Sequence, residues 1–250
     1  MLGLGLGLQR HSMQAGEKKD TLNKVLDLQA MRTDITKNTW TDLSRTSEVE
    51  MIGFSNTTQS GWNVEDGKKY LTFDGTKDYC RVSNVPEQNI TSPPIAIFIT
   101  FKVNEYDSSL IFKGGNGAYQ TQLGIRINNS KQARCYLNTN SGWTSFSEKN
   151  VIETDTWLDV GYIWDSNKKA TLFINGEAIV SAIVDETLIR GNNMTIGARH
   201  NVEMEDFFKG HIANVQVYKS DDVENIMKER KRLAQPYGVE IELTPSNFII

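Results

Sequence analysis

Residues 157–184 read WLDVGYIWDSNKKATLFINGEAIVSAIV, and this stretch decides the fold. Leu158, Val160, Tyr162 and Trp164 fall on one side of an extended chain before the polar quartet Asp165, Ser166, Asn167 and Lys168 stops the run. That is the pattern of a strand entering a turn. Alternation resumes with Ala170, Leu172 and Ile174 set against Thr171, Phe173 and Asn175. The dipeptide Asn175-Gly176 follows; both residues adopt positive φ readily, and between apolar runs they form the strongest short signal for a hairpin. A third run, Ala178 to Val184, begins at once, so local chemistry specifies a three-stranded antiparallel meander.

Outward from the meander, PPIAIFITFKVN sets Ile95, Ile97, Ile99 and Phe101 against Ala96, Phe98, Thr100 and Lys102. A strand apolar on both sides at its start belongs in the middle of a sheet. SLIFKGG, QLGIRINN and QARCYLN read as further short strands, and NMTIGARH and FFKGHIANVQVYK supply two more after the meander, the latter through Ile212, Val215 and Val217. Turn signals every ten residues or so mark a sandwich or barrel. GKKYLTFDGTKDYCRVSN predicts two short strands paired around Asp74-Gly75, with Leu71, Phe73, Cys80 and Val82 facing inward. Leu22 to Ala30 fits a helix and a strand equally, and TWTDLSRTSEVEMIG reads as a loop anchored by Trp40. The pattern changes once: Ser220 or Asp221 caps a helix over 221–234, with acids at its start, Lys228, Arg230, Lys231 and Arg232 at its end, and Pro236 and Gly238 beyond it. The expected organisation is an extended arm over 1–20, one all-β domain over 21–235, and an extended tail over 236–250.

Composition narrows the classes. At 250 residues, 38% apolar and 9% aromatic, the chain suits one large all-β domain with a substantial core. A net charge of -4 offers no attraction for nucleic acid or an anionic membrane surface. Cys80 and Cys135 sit in apolar runs as small buried thiols, since a chain of this size needs no disulfide staple. The start MLGLGLGLQRH lacks the charged region and cleavage site of an export signal, no run is long enough to span a bilayer, and no membrane insertion is expected. The sequons at Asn56, Asn89, Asn128 and Asn193 are then chance occurrences.

Five segments carry a family resemblance. WLDVGYIWDSNKKATLFINGEAI resembles the Trp, strand, Asp-turn, strand, Asn-Gly signature of laminin-G-like domains of the concanavalin-type lectin fold. NMTIGAR is similar to the strand that follows it, and FFKGHIANVQVYKSDDVENI to the closing strand with its acidic-start helix. YLTFDGTKDYCRV resembles the Phe-Asp-Gly-x-x-Asp-Tyr hairpin, and KVLDLQA with TWTDLS the opening strand and loop, so Leu22 to Ala30 becomes a strand. In order over about residues 24–235, they imply a jelly-roll sandwich of two antiparallel sheets with one short C-terminal helix. A Gly-Leu start without an export signal further resembles structural proteins of tailed bacteriophages. That likeness implies a non-enzymatic virion protein of head or tail, made in the host cytoplasm, whose partners are other virion proteins or copies of itself.

The fold hosts lectins, glycosidases and structural domains, so the site must decide. Leu2, Leu4, Leu6 and Leu8, with Phe248, Ile249 and Ile250, are too apolar for free tails and are the expected partner anchors. Sugars ask for a ring to stack on and planar polar groups for their hydroxyls. Residues 119–143 hold that mixture, and Arg126, Arg134, Tyr136, Asn138 and Trp143 are the candidate carbohydrate-binding residues, Trp143 being read in a polar loop. A retaining glycosidase needs two facing carboxylates. Glu203 and Glu205 in VEMED come nearest, in an expected loop, and no catalytic residue is assigned. His11, His200 and His211 are scattered, and Asp74, Asp78 and Asp165 suit turn hydrogen bonds better than calcium, so neither metal nor cofactor is expected. The leading expectation is a virion decoration protein with a glycan-binding surface; the alternatives are a free lectin-like module and, more distantly, a glycoside hydrolase.

Overall fold

The computed structural model describes residues 22–85, 90–114, 121–139, 142–147, 152–185, 193–200 and 203–243. The chain runs through β1 (Lys24–Gln29), β2 (Glu48–Ile52), β3 (Gly61–Glu65), β4 (Lys68–Asp74), β5 (Tyr79–Ser83) and β6 (Ile95–Val103). It continues through β7 (Ser108–Gly114), β8 (Thr121–Ile127), β9 (Ala133–Thr139), β10 (Gly142–Ser147), β11 (Trp157–Trp164), β12 (Lys169–Ile174) and β13 (Glu177–Ile183). Last come β14 (Asn193–Ile196), the two-residue strands β15 (Arg199–His200) and β16 (Met204–Glu205), β17 (Lys209–Tyr218) and the helix α1 (Val223–Ala234).

Two antiparallel sheets form a concanavalin-type jelly-roll sandwich. One has eight strands in the order β13-β12-β11-β6-β17-β4-β3, with β1 also pairing to β17; the other has seven, β10-β9-β8-β7-β14-β5-β2. Alternation places the core between them. Ile95, Ile97, Ile99 and Phe101 of the central strand β6 meet Val160, Tyr162 and Trp164 of β11 and Cys80, Ile125, Cys135, Leu137 and Ile196 of the other sheet. Each such side chain, fully buried, contributes about 1.5–3 kcal/mol. Both cysteines are free and buried. The meander is present as expected: β11 pairs with β12, β12 with β13, and Asn175 (φ 50°) and Gly176 (φ 81°) make the turn. Within Leu22 to Ala30, Lys24–Gln29 forms strand β1, as the resemblance implied.

Five readings are corrected. Asp74-Gly75 is no hairpin, because β4 belongs to the eight-stranded sheet and β5 to the seven-stranded one, so the segment is a corner between sheets. The Asp74 carboxylate accepts from the backbone N–H of Thr76 at 2.8 Å and of Lys77 at 3.0 Å, and Asp78 accepts from that of Asp74 at 3.0 Å. These side chains take up the backbone donors that a hairpin would pair across strands. The loop after Trp40 contains a strand, β2, and Trp143 lies in strand β10 rather than a loop. Met204 and Glu205 likewise pair with His200 and Arg199. The helix is capped by Asp222, whose side chain accepts from the N–H of Asn225 at 3.1 Å; Asp221 instead accepts from Ser166 N–H at 2.9 Å, and Ser220 from Asp222 N–H at 3.1 Å.

The helix closes the outer face of the eight-stranded sheet over β6, β11 and β17. Ile226 and Met227 pack on Ala96, Phe98, Ile163, Phe173 and Tyr218. Opposite Phe98, position 161 must be glycine, since a Cβ there would lie 2.3 Å from the Phe98 ring. Amid this apolar contact Arg230 is fully buried. Its guanidinium donates to both carboxylate oxygens of Asp159, to Thr100 Oγ1 at 2.8 Å and to Gln216 Oε1. Gln216 passes the network on to Asp27 Oδ1, and Asn214 donates to the Leu233 carbonyl, both at 3.0 Å. Beyond the helix, Val239 and Ile241 are buried and Trp157 packs on Tyr237 at 4.7 Å. His211 stands beside this group, 2.9 Å from Thr72 Oγ1 and packed on Tyr70; burial, with the Lys102 ammonium second, pushes it down to about 4.

Two outcomes follow. Asp159→Ala leaves a buried cation without its partner and is expected to cost about 3–5 kcal/mol in urea unfolding, with the Asp159→Ala, Arg230→Met double variant recovering most of the loss. The unfolded chain protonates His211 near the usual 6.5 and the folded chain only near 4, so stability is full above that window and declines as pH falls through it. Thermal unfolding of His211→Gln between pH 7 and 4 should show a shallower decline.

Candidate functional site

With one sheet capped, the outer face of the seven-stranded sheet is the other large surface of the sandwich. Ala133, Cys135 and Leu137 point into the core, so Arg134, Tyr136 and Asn138 of β9 stand on the outer side. The same argument places Arg126 of β8, Phe112 of β7, Thr195 of β14 and Arg81 of β5 there, because their strand neighbours Ile125, Ile127, Ile111, Met194, Ile196, Cys80 and Val82 are core residues. Gly124 lies directly opposite Phe112 on one side and Tyr136 on the other. A Cβ at 124 would meet the Phe112 ring at 2.8 Å, so the absent side chain makes room for that ring, which contacts Tyr136 at 5.9 Å between centroids. Tyr136 is half-buried and Asn138 is buried.

The hairpin of β15 and β16 folds over part of this face. His200 and Met204 from it join Tyr79, Arg81 and Thr195 around a depression of about 360 Å3. An ionic chain ties it down: Arg126 pairs with Asp107 and, at 3.4 Å, with Asp206; Arg199 pairs with Asp206 at 2.9 Å and with Glu205 at 3.1 Å. Burial pushes the Asp206 carboxyl up, opposed by the two guanidiniums. On the adjoining strands Arg81 pairs with Glu50 at 3.2 Å and donates to Tyr79 Oη at 3.2 Å.

Four of the five candidate sugar-binding residues, Arg126, Arg134, Tyr136 and Asn138, thus share one face. The backbone of Trp143 pairs directly with Asn138, and its side chain lies outside the described residues. So do Leu2, Leu4, Leu6, Leu8, Phe248, Ile249, Ile250 and His11. Of the acids weighed for catalysis, Glu203 is exposed and Glu205 is paired with Arg199. Asp165 accepts from the N–H of Asn167 at 2.8 Å and of Lys169 at 2.9 Å, closing its turn. No group of three or more His, Cys, Asp and Glu among the described residues could hold a metal, and no described helix is long and apolar enough to cross a membrane. Arg81 and Thr195 were missed, although strict alternation with Cys80, Val82, Met194 and Ile196 marks both as outward-facing. His200, Met204 and Asp206 reach the face through a hairpin that no local signal announces.

Residues 74–221, more than half of the chain, match the family described as the concanavalin A-like lectin/glucanases superfamily. The chain belongs to that superfamily. No curated protein matches the sequence. Among solved structures, this superfamily member is similar to the binding domain of botulinum neurotoxin DC in complex with SialylT (18% identity, TM-score 0.61, 84% of this chain and 51% of that one). It is also similar to a structure of botulinum neurotoxin type C, whose cell entry is described as dependent on interaction with two ganglioside molecules (18% identity, TM-score 0.63, 84% and 51%). A third is the receptor binding domain of the botulinum neurotoxin C/D mosaic serotype (17% identity, TM-score 0.59, 82% and 50%). The chain spans about half the length of these structures, and at such identity the likeness is one of fold. The superfamily member has a lectin-like architecture.

Asp206→Ala releases the two arginines that hold the β15–β16 hairpin. Since these ion pairs are partly exposed, the expected loss of stability is on the order of 1 kcal/mol. Hydrogen exchange should speed up at Arg199, His200 and Glu205 while the β6 and β17 amides stay protected.

Proposed function

We propose that this domain binds carbohydrate, without cleaving it, on the outer face of the seven-stranded sheet. The observation that carries the reading is the asymmetry of the sandwich. The outer face of one sheet is filled by α1, whereas that of the other gathers Tyr136, Arg134, Arg126 and Asn138 beside a depression lined by Tyr79, Arg81, Thr195, His200 and Met204. Aromatic faces stack on the C–H side of a sugar ring, and planar guanidinium and amide groups match its hydroxyls. The likeness to toxin binding domains, one of them in complex with SialylT, supports the same reading. Glu205 and Asp206, two of the three carboxylates of the weighed VEMED run, are engaged by arginines, which favours binding over acid–base chemistry.

The Gly-Leu arm favours a second, compatible placement: the domain decorates the head or tail of a bacteriophage particle, docking through Leu2, Leu4, Leu6 and Leu8 and through Phe248, Ile249 and Ile250. Deleting residues 1–20 would then abolish incorporation into particles.

A glycan array probed with the full chain tests the binding reading. Tyr136→Ala and Trp143→Ala should each weaken the positive signals roughly ten-fold, as expected for loss of an aromatic contact. A blank array, or release of reducing ends from a β-glucan that Glu203→Gln abolishes, would overturn it.

A further inference from the structure

Among the described residues, four arginines stand on or beside the outer face of the seven-stranded sheet, and three of them are neutralised within the protein. Arg81 has Glu50, Arg126 has Asp107 and Asp206, and Arg199 has Glu205 and Asp206. The side chain of the fourth, Arg134, makes no ion pair or hydrogen bond among the described residues; its Nε is buried without an acceptor, as are those of Arg126 and Arg199, but it has no carboxylate beside it. It is only half-exposed, so part of its hydration is lost with nothing among the described residues to replace it. Its neighbour adds to the imbalance. Arg134 lies directly across from Arg126 in the β8–β9 register, and like charges in that position repel. The two carboxylates on Arg126 relieve one side of the pair and leave the other.

We propose that Arg134 receives the anionic group of an acidic sugar, a carboxylate or a sulfate ester, while Tyr136 engages the rest of the ring. The inference rests on the carbohydrate-binding reading and adds its ligand class. A guanidinium presents a planar fork that matches a carboxylate or sulfate through two parallel hydrogen bonds. Tyr136 follows Arg134 by two residues, about 7 Å, on the same strand and the same face, so one small ligand reaches both. Ser147 of β10 lies opposite Arg134 on the other side and brings no charge of its own. The chain as a whole carries a charge of -4, so attraction is local to this cation and selects a small acidic sugar over an extended polyanion.

The experiment measures binding of the full chain to immobilised lactose, sialyllactose and sulfated lactose, with a broad glycan array alongside. The acidic members should bind roughly ten-fold or more tightly than lactose, with a preference that shrinks as salt rises. Arg134→Gln should abolish the preference, so that acidic sugars bind no better than lactose does to the same variant, and Arg134→Lys, which keeps the charge and loses the fork, should retain part of it. The relative strength of the carboxylate and sulfate arms identifies the natural anion. Equal binding of acidic and neutral sugars by the unaltered chain, or a preference that survives in Arg134→Gln, overturns the assignment to Arg134 and leaves glycan binding standing. A blank array with all sugars silent overturns the binding reading as well.

Discussion

The buried contact between Arg230 and Asp159 is the constraint on which the arrangement of this domain depends. A guanidinium inside a protein is tolerated only when its charge and its donors are met, and here Asp159, Thr100 and Gln216 meet them from three adjacent strands. The helix can dock in one position only, because a shift along the sheet would strand the charge. Apolar packing of Ile226 and Met227 on Phe98 and Phe173 supplies attraction, and the polar network supplies register.

That docking makes the two faces of the sandwich unlike. Over β6, β11 and β17 the outer surface becomes a second interior, which explains why those strands are apolar on both sides. The opposite sheet has an apolar inner face and an outer face of arginines, amides, hydroxyls and rings. Gly124 has the same role there as Gly161 on the capped sheet, since each lies under the ring of its cross-strand phenylalanine. In one case the ring is sealed beneath a helix, and in the other it supports Tyr136 at the surface. The capped side is sealed under a helix, and the other is covered only in part, by the β15–β16 hairpin.

Sequence patterns registered the parts of the fold that follow from neighbours in the chain. The period-two alternation of Ile95 to Phe101 and of Leu158 to Trp164 named the core side chains, and Asn175-Gly176 named its hairpin. Arg126, Arg134, Tyr136 and Asn138 were legible as candidate site residues because composition in one short window suffices to collect them. Asp74-Gly75 was misread because a turn's chemistry says that the chain reverses and not which sheet receives it; Asp74 and Asp78 hydrogen-bond the corner itself.

Local chemistry by itself therefore determined the central strands, the Asn175-Gly176 turn and the C-terminal helix, and which residues of those strands share a face, since these depend on steric preference and on the two-residue repeat of extended backbone. Tertiary structure alone decided that Arg230 seals one sheet against Asp159, that the hairpin carrying His200, Met204 and Asp206 folds across the other, and that Arg134 stands beside an already neutralised Arg126. Each of these joins residues far apart in the chain, and charge compensation between such groups depends on distances that no local pattern contains.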